Sequence, residues 1–242
     1  MVVDKKRAGV FLEHTSWGGD KPGLVEGISD LIKEHSLDIF LGPEWLFMPP
    51  IEHDLMDQIQ KENLVDRLAE NTKSLDCLVI PGTIMWQDSE YVYNAAPVLY
   101  KGELLGNQYK SKDGGTCENA ALRKCTKPMH TYSTPRVFDW KDCRFGIDIC
   151  ADMGRMYEFL DGRKLPFLDM YFLVSCGSSL ALECTDLVFM SMVPAKPGGY
   201  ALCSDGFAPH KNSRCLQKSL NGERYSGKEP KLVKGMYIYD LD

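Results

Sequence analysis

Three residues in this chain carry the groups that nucleophilic acyl chemistry needs, and each stands at the end of an extended run. Glu44 follows Phe40-Leu41-Gly42-Pro43, Lys110 follows Gln108-Tyr109, and Cys150 closes Arg144-Phe145-Gly146-Ile147-Asp148-Ile149 ahead of Ala151-Asp152-Met153. A thiolate attacking a carbonyl or nitrile carbon needs a base to take the thiol proton and a cation near the oxygen that becomes negative. A carboxylate, an ammonium and a thiol meet those needs. A lysine near the thiol also favours the thiolate, and a carboxylate beside the lysine keeps it protonated. A lone cysteine is more often a small core hydrophobe, so the reading rests on the three groups occurring together.

The elements that must position them follow from periodicity. Phe145, Ile147 and Ile149 alternate with Gly146, Asp148 and Cys150. A period of two puts Cys150 at the C-terminal end of a strand, where α/β folds open a cleft. Residues 7–12 read as a first strand, 15–23 as a glycine-rich loop, 24–35 as a helix, and 37–41 as a second strand that delivers Glu44. Residues 55–68 repeat the helical spacing and 75–81 form a buried strand, so strand and helix alternate. Residues 91–100 and 103–112 read as a hairpin about Lys101-Gly102, with Gln108, Lys110 and Lys112 on one face of its second strand. The polar residues 113–134 read as a long loop, a class that is often functional. A strand pair follows at 137–140 and 144–150, then a helix at 155–160 and a buried strand at 170–175. The last third reads as a helix within 180–192, a short strand at 200–203, turns at 206–212 and 220–227, and one final strand at 231–241.

No internal repeat or linker divides the chain, so the 242 residues read as a single domain spanning 1–242. The net charge of -6 argues against nucleic acid or an anionic membrane as partner. No stretch is apolar for long enough to span a bilayer, and the run at 8–12 is too short for a secretory signal core. Nine cysteines, an odd and irregular set, fit a reducing, cytoplasmic setting. Cys117 and Cys125, with Cys143 and His130, contain no CxxC pair and make a poor zinc site. His53, His130 and His210 come with no local signature of a cysteine–histidine dyad. Trp45, Phe47 and Met48 beside Glu44 suit either an acyl pocket or the core.

The three segments resemble the motifs of the nitrilase superfamily, the carbon–nitrogen hydrolases. Gly42-Pro43-Glu44 matches its Pro-Glu after a strand, Gln108-Tyr109-Lys110 its lysine segment, and Gly146-Ile147-Asp148-Ile149-Cys150-Ala151-Asp152 its Gly-x-x-Ile-Cys-x-Asp. Tyr93-Asn94-Ala95 and Lys101-Gly102-Glu103-Leu104-Leu105 look like the hairpin that leads to the family's lysine. The cysteine motif is the most specific of the three. The sequence departs from the family after Asp152, where Met153-Gly154-Arg155-Met156-Tyr157-Glu158 lacks the usual proline, and after Lys110, where His-Leu is absent.

The resemblance implies an α/β fold, a four-layer α-β-β-α sandwich, and an acyl-thioester mechanism with no metal or organic cofactor. It makes Glu44 the general base, Cys150 the nucleophile and Lys110 the stabiliser of the tetrahedral intermediate. Ala151 adds its backbone N–H, and Asp152 braces the turn. Lys112 stays open as the alternative lysine. Lys110 is preferred because Gln108-x-Lys110 followed by Glu118 resembles a family variant with a second, supporting glutamate. The implied substrate is a small amide, carbamoyl compound or nitrile, and the implied assembly a homodimer. Acyl transfer to an acceptor other than water, or a degenerate member that binds a ligand or partner without turnover, are the rival expectations.

Overall fold

A computed structural model describes residues 5–13, 23–49, 53–112, 127–131, 134–177, 192–222 and 225–242. The first half holds β1 (Lys6–Phe11), α1 (Leu24–His35), β2 (Ile39–Leu41), α2 (Gln58–Thr72), β3 (Leu78–Ile80), β4 (Ile84–Gln87), β5 (Val92–Tyr100) and β6 (Glu103–Tyr109). The second half holds β7 (Val137–Trp140), β8 (Cys143–Ile149), α3 (Arg155–Gly162), β9 (Leu168–Ser175), β10 (Ala195–Asp205), α4 (Pro209–Asn212), β11 (Arg214–Lys218), β12 (Tyr225–Gly227), β13 (Lys231–Val233) and β14 (Met236–Leu241).

Two sheets result. The first runs β13-β14-β1-β2-β3-β5-β4 with β6 also paired to β5, and the second runs β12-β11-β10-β9-β8-β7. Short runs such as Ile39-Phe40-Leu41 are apolar throughout because both faces of the sheet are covered. Ile39 and Leu41 face the second sheet, packing in one cluster with Val10, Ile147, Phe172 and Leu202. Phe40 faces the other way, into a cluster with Ile28 and Ile32 of α1 and Leu68 of α2. On the far side, Met156 and Leu160 of α3 cover Tyr171, Leu173 and Ala201. Each such Leu, Ile or Phe contributes about 1.5–3 kcal/mol on full burial. The layers are therefore α-β-β-α, the sandwich expected from the sequence.

Local chemistry sets the boundaries. The α2 helix starts at a capping box between Asp57 and Gln60, three residues later than the apolar spacing predicts. Residues 231–241 are a hairpin rather than one strand, because Lys234 and Gly235 take φ of 45° and 73° and reverse the chain. Lys101-Gly102 turns the β5–β6 hairpin in the same way, with φ of 50° and 78°. The β10 strand is longer than predicted, 11 residues, with a register shift between Ala195 and Tyr200 where Gly198 and Gly199 interrupt its side chains. Three short strands, β4, β11 and β12, have no sequence counterpart, the last falling in residues read as turns. The β6 strand ends at Tyr109, so Lys110 and Lys112 do not share a strand face as expected. Residues 15–22 of the loop read at 15–23, residues 113–126 and 132–133 of the loop read at 113–134, and residues 180–191 of the helix read within 180–192 lie outside the described residues. No helix among the described residues is long and apolar enough to cross a membrane.

Candidate active site

The segment carrying Glu44 is fixed by two interlocked glycines. A Cβ on Gly42 would stand 2.3 Å from the Pro81 carbonyl oxygen, and one on Gly82, whose φ is 104°, would stand 2.2 Å from that of Pro43. Only bare backbone lets the loops after β2 and β3 cross this closely. Trp45, at φ 62°, donates its N–H to Thr83 Oγ1 at 2.8 Å. Glu44 donates its own N–H to the Ser175 carbonyl at 3.1 Å, which ties this loop of the first sheet to the end of β9 in the second.

The register of the β5–β6 hairpin brings Lys110 to the same place. Its N–H donates to the Asn94 carbonyl at 2.9 Å, one step beyond the Ala95–Tyr109 pair. Lys110 Nζ then donates to Glu44 Oε1 at 2.8 Å, and Asn94 Nδ2 donates to the same oxygen at 3.0 Å. The side chains of Lys110 and Glu44 are 1% and 0% exposed. Among the described residues, Oε2 of Glu44 has no hydrogen-bond partner. Asn94 was not among the expected site residues. Its signal was a lone amide inside the apolar run of β5.

Cys150 reaches this pair through a break in strand alternation. Along β8, Phe145, Ile147 and Ile149 face the space between the sheets, and strict alternation sends Cys150 with Asp148 to the helix side. Instead Cys150 opens a one-turn 3-10 helix, Cys150–Asp152, with φ at 47°, and packs in the inter-sheet cluster beside Ile149. Its sulfur accepts a hydrogen bond from the Cys176 backbone N–H and interacts with the Glu44 carboxylate and the Lys110 ammonium. Burial, followed by the Glu44 charge, pushes the thiol well above its ordinary range; Lys110 and the Cys176 N–H oppose this and lose. Lys110 thus pulls toward the thiolate, the direction the sequence suggested, and is outweighed by burial and Glu44.

The neighbours divide by task. Asp152 Oδ2 accepts from Ser111 N–H at 2.7 Å and Oδ1 from Lys112 N–H at 2.8 Å, which joins the lysine segment to the cysteine turn. Lys112 is exposed, and it meets the site through this backbone bond. Ala151 lies within the 3-10 turn, directly after the sulfur-bearing residue. Asp148, which the sequence offered only as an alternating strand residue, accepts from Gly154 N–H, Met156 N–H and the Tyr171 hydroxyl. Trp45 and Met48 cluster with Met85, Val92 and Cys176 beside the site, whereas Phe47 belongs to the core under the helices.

Other candidates lie elsewhere. Glu118, Cys117 and Cys125 fall outside the described residues. His130 stacks on Tyr93 at 5.2 Å, His210 stands against Tyr237 at 5.9 Å, and His53 is exposed. Among the described residues no group of three or more His, Cys, Asp or Glu side chains could hold a metal ion.

A carboxylate hydrogen-bonded to an ammonium and facing a thiol, all withdrawn from water, can take a proton from sulfur while the ammonium meets an adjacent oxyanion. The sandwich that carries it is the fold of the nitrilase superfamily. Saccharomyces cerevisiae Nit3, a member of branch 10 of that superfamily, superposes with a TM-score of 0.68 over 98% of this chain and 90% of its own, at 15% identity. The NitN amidase from Neterenkonia sp. AN1 gives 0.68 over 98% and 93%, at 16% identity. Glutamine-dependent NAD+ synthetase from Acinetobacter baumannii gives 0.66 at 14% identity, this chain covering 46% of that longer protein. No protein-family model and no curated protein sequence matches the chain.

Proposed function

We propose that this protein is a cysteine-dependent hydrolase of non-peptide carbon–nitrogen bonds, acting on small amides or nitriles through Glu44, Lys110 and Cys150. The observation that carries the reading is one buried carboxylate shared by two partners, with Lys110 Nζ 2.8 Å from Glu44 Oε1 and the Cys150 thiol beside the same group. A buried ion pair is a poor route to stability, so its presence against a cysteine argues for chemistry. In an amide reaction, Glu44 takes the thiol proton as the Cys150 sulfur bonds to the carbonyl carbon. The carbonyl electrons move onto oxygen, where Lys110 and the Ala151 N–H meet them. Collapse restores the carbonyl and breaks the C–N bond, and the nitrogen leaves with the proton from Glu44 as ammonia or an amine. Glu44 next takes a proton from water as its oxygen attacks the thioester. Collapse breaks the C–S bond, and the proton returns to sulfur as the acid departs.

The amide class is favoured because a mutant of the amidase from Nesterenkonia sp. AN1, which shares this fold, was solved in complex with butyramide. The six described cysteines are all free thiols, which suits a reducing, cytoplasmic setting; pairing of two copies is part of the same reading and is read by sedimentation. The test is ammonia release from a panel of small amides and nitriles, with iodoacetamide labelling mapped by mass spectrometry. Turnover abolished in Cys150→Ala and in Glu44→Gln, with Cys150 labelled ahead of the other cysteines, is the expected result. Labelling of Cys150 without ammonia release from any substrate points to acyl transfer or ligand binding instead.

A further inference from the structure

Asp148 stands two residues before Cys150, and no step of the proposed cycle uses its carboxylate. The residue is 2% exposed, and its Oδ2 alone accepts three hydrogen bonds: from Gly154 N–H at 3.0 Å, Met156 N–H at 3.3 Å and the Tyr171 hydroxyl at 3.0 Å. Gly154 is the N-cap of α3 and Met156 lies in its first turn. One oxygen therefore ties β8 to β9 and to the chain that emerges from the cysteine turn.

That turn needs holding. A left-handed φ, 47° at Cys150, is strained for a residue with a Cβ, and such strain persists only where the surroundings over-determine it. Before Cys150 the chain is fixed by the pairing of Ile149 with Val174. After it, the fixing groups are two carboxylates: Asp152, bound to Ser111 and Lys112, and Asp148, bound to α3 and Tyr171. The position of Asp148 is a costly one for a charge. Burial and the nearby Asp152 raise its pKa to about 7 against the pull of its donors. The other groups facing this cluster are Lys110 and Arg155, the latter 4.0 Å from Asp152, and Cys203 of β10, which lies near Tyr171.

We propose that Asp148 is a positioning residue for the nucleophile: by holding Gly154, Met156 and Tyr171 it fixes the left-handed turn that aims Cys150 at Glu44 and Lys110. The inference rests on the reading of Cys150 as nucleophile. It is tested in the full chain with Asp148→Ala, Asp148→Asn and Tyr171→Phe, each checked by melting temperature and near-ultraviolet dichroism. The readouts are iodoacetamide rates at each cysteine and hydrogen exchange at Gly154 and Met156, neither of which needs turnover. In folded Asp148→Ala the preference for Cys150 over the other cysteines is expected to fall at least about tenfold, the equivalent of about 1.4 kcal/mol, while the other cysteines keep their rates. Asp148→Asn, which retains an acceptor oxygen, should restore most of that preference, and Tyr171→Phe should lose part of it. If Asp148→Ala does not fold, the contrast of Asp148→Asn with Tyr171→Phe carries the test. Folded variants with wild-type preference for Cys150 and unchanged exchange overturn the proposal. Absence of preferential labelling in the wild type would instead defeat the nucleophile reading, and the exchange of Gly154 and Met156 would still report whether Asp148 holds the turn.

Discussion

Lys110 and Glu44 come from the segments that follow two strands of one sheet, β6 and β2, 66 residues apart in the chain, and meet as a buried ion pair at 2.8 Å. Cys150 comes to them from the facing sheet, so the site spans the interior of the sandwich.

Removing one partner of that pair strands the other charge in the interior. Lys110→Met is expected to destabilise the protein by about 3–5 kcal/mol, and Lys110→Met combined with Glu44→Gln by clearly less than the sum of the single changes. Urea unfolding of the four proteins of this cycle measures it. Additive losses would mean that the pair is not coupled.

The Glu44 carboxylate raises the Cys150 thiol pKa and Lys110 lowers it. In Glu44→Gln the lysine is opposed by burial but no longer by the carboxylate, so the thiol should titrate at a lower pH than in the wild type while turnover is lost for want of a base. Thiolate absorbance in the ultraviolet, against a Cys150→Ala reference, follows the titration. A Glu44→Gln thiol that titrates no lower than the wild type contradicts this electrostatic account.

Asn94 donates to the same oxygen of Glu44 that Lys110 holds. A hydrogen bond to a charged group is worth about 1.5–3 kcal/mol, so Asn94→Ala should lower kcat by about tenfold to a hundredfold with little change in KM. Steady-state kinetics on an amide substrate decide it. A rise in KM at constant kcat would assign Asn94 to substrate binding instead.

How far the sequence disclosed all this depends on what kind of feature carried it. The strand end that carries Glu44 was legible because Gly42-Pro43 closes a short apolar run, whereas the four layers came from the family resemblance, since alternating strands and helices are common to other α/β folds. The direction of Cys150 was not, since a left-handed φ at a residue other than glycine leaves no mark in the sequence. For the same reason Trp45 gave no sign of its turn. Asn94 and Asp148 read as ordinary strand positions because their roles come from partners 50 and up to 23 residues away. Lys110 and Lys112 were inseparable by pattern; the end of β6 at Tyr109 separates them.

Asp148 also predicts a pH dependence of stability. Its pKa rises from 3.8 to about 7 in the folded protein, so between those values the folded state holds a proton that the unfolded state has released. Its contribution is fully present below about pH 4, is lost as pH rises through about 7, and changes by up to about 1.4 kcal/mol per pH unit within that window. Asp148→Asn should flatten this part of the profile, measured as unfolding free energy from pH 4 to pH 8. An unchanged slope in the variant would show that Asp148 is ionised throughout.

The central claim is that amide hydrolysis runs through a thioester on Cys150. Rapid acid quenching of the wild-type protein during turnover of butyramide, followed by peptide mass spectrometry, tests it most directly. The account predicts a butyryl increment on the peptide that contains Cys150, absent from Cys150→Ala, which releases no ammonia. Ammonia release that persists in Cys150→Ala, or an acyl group found on any other residue, would contradict it.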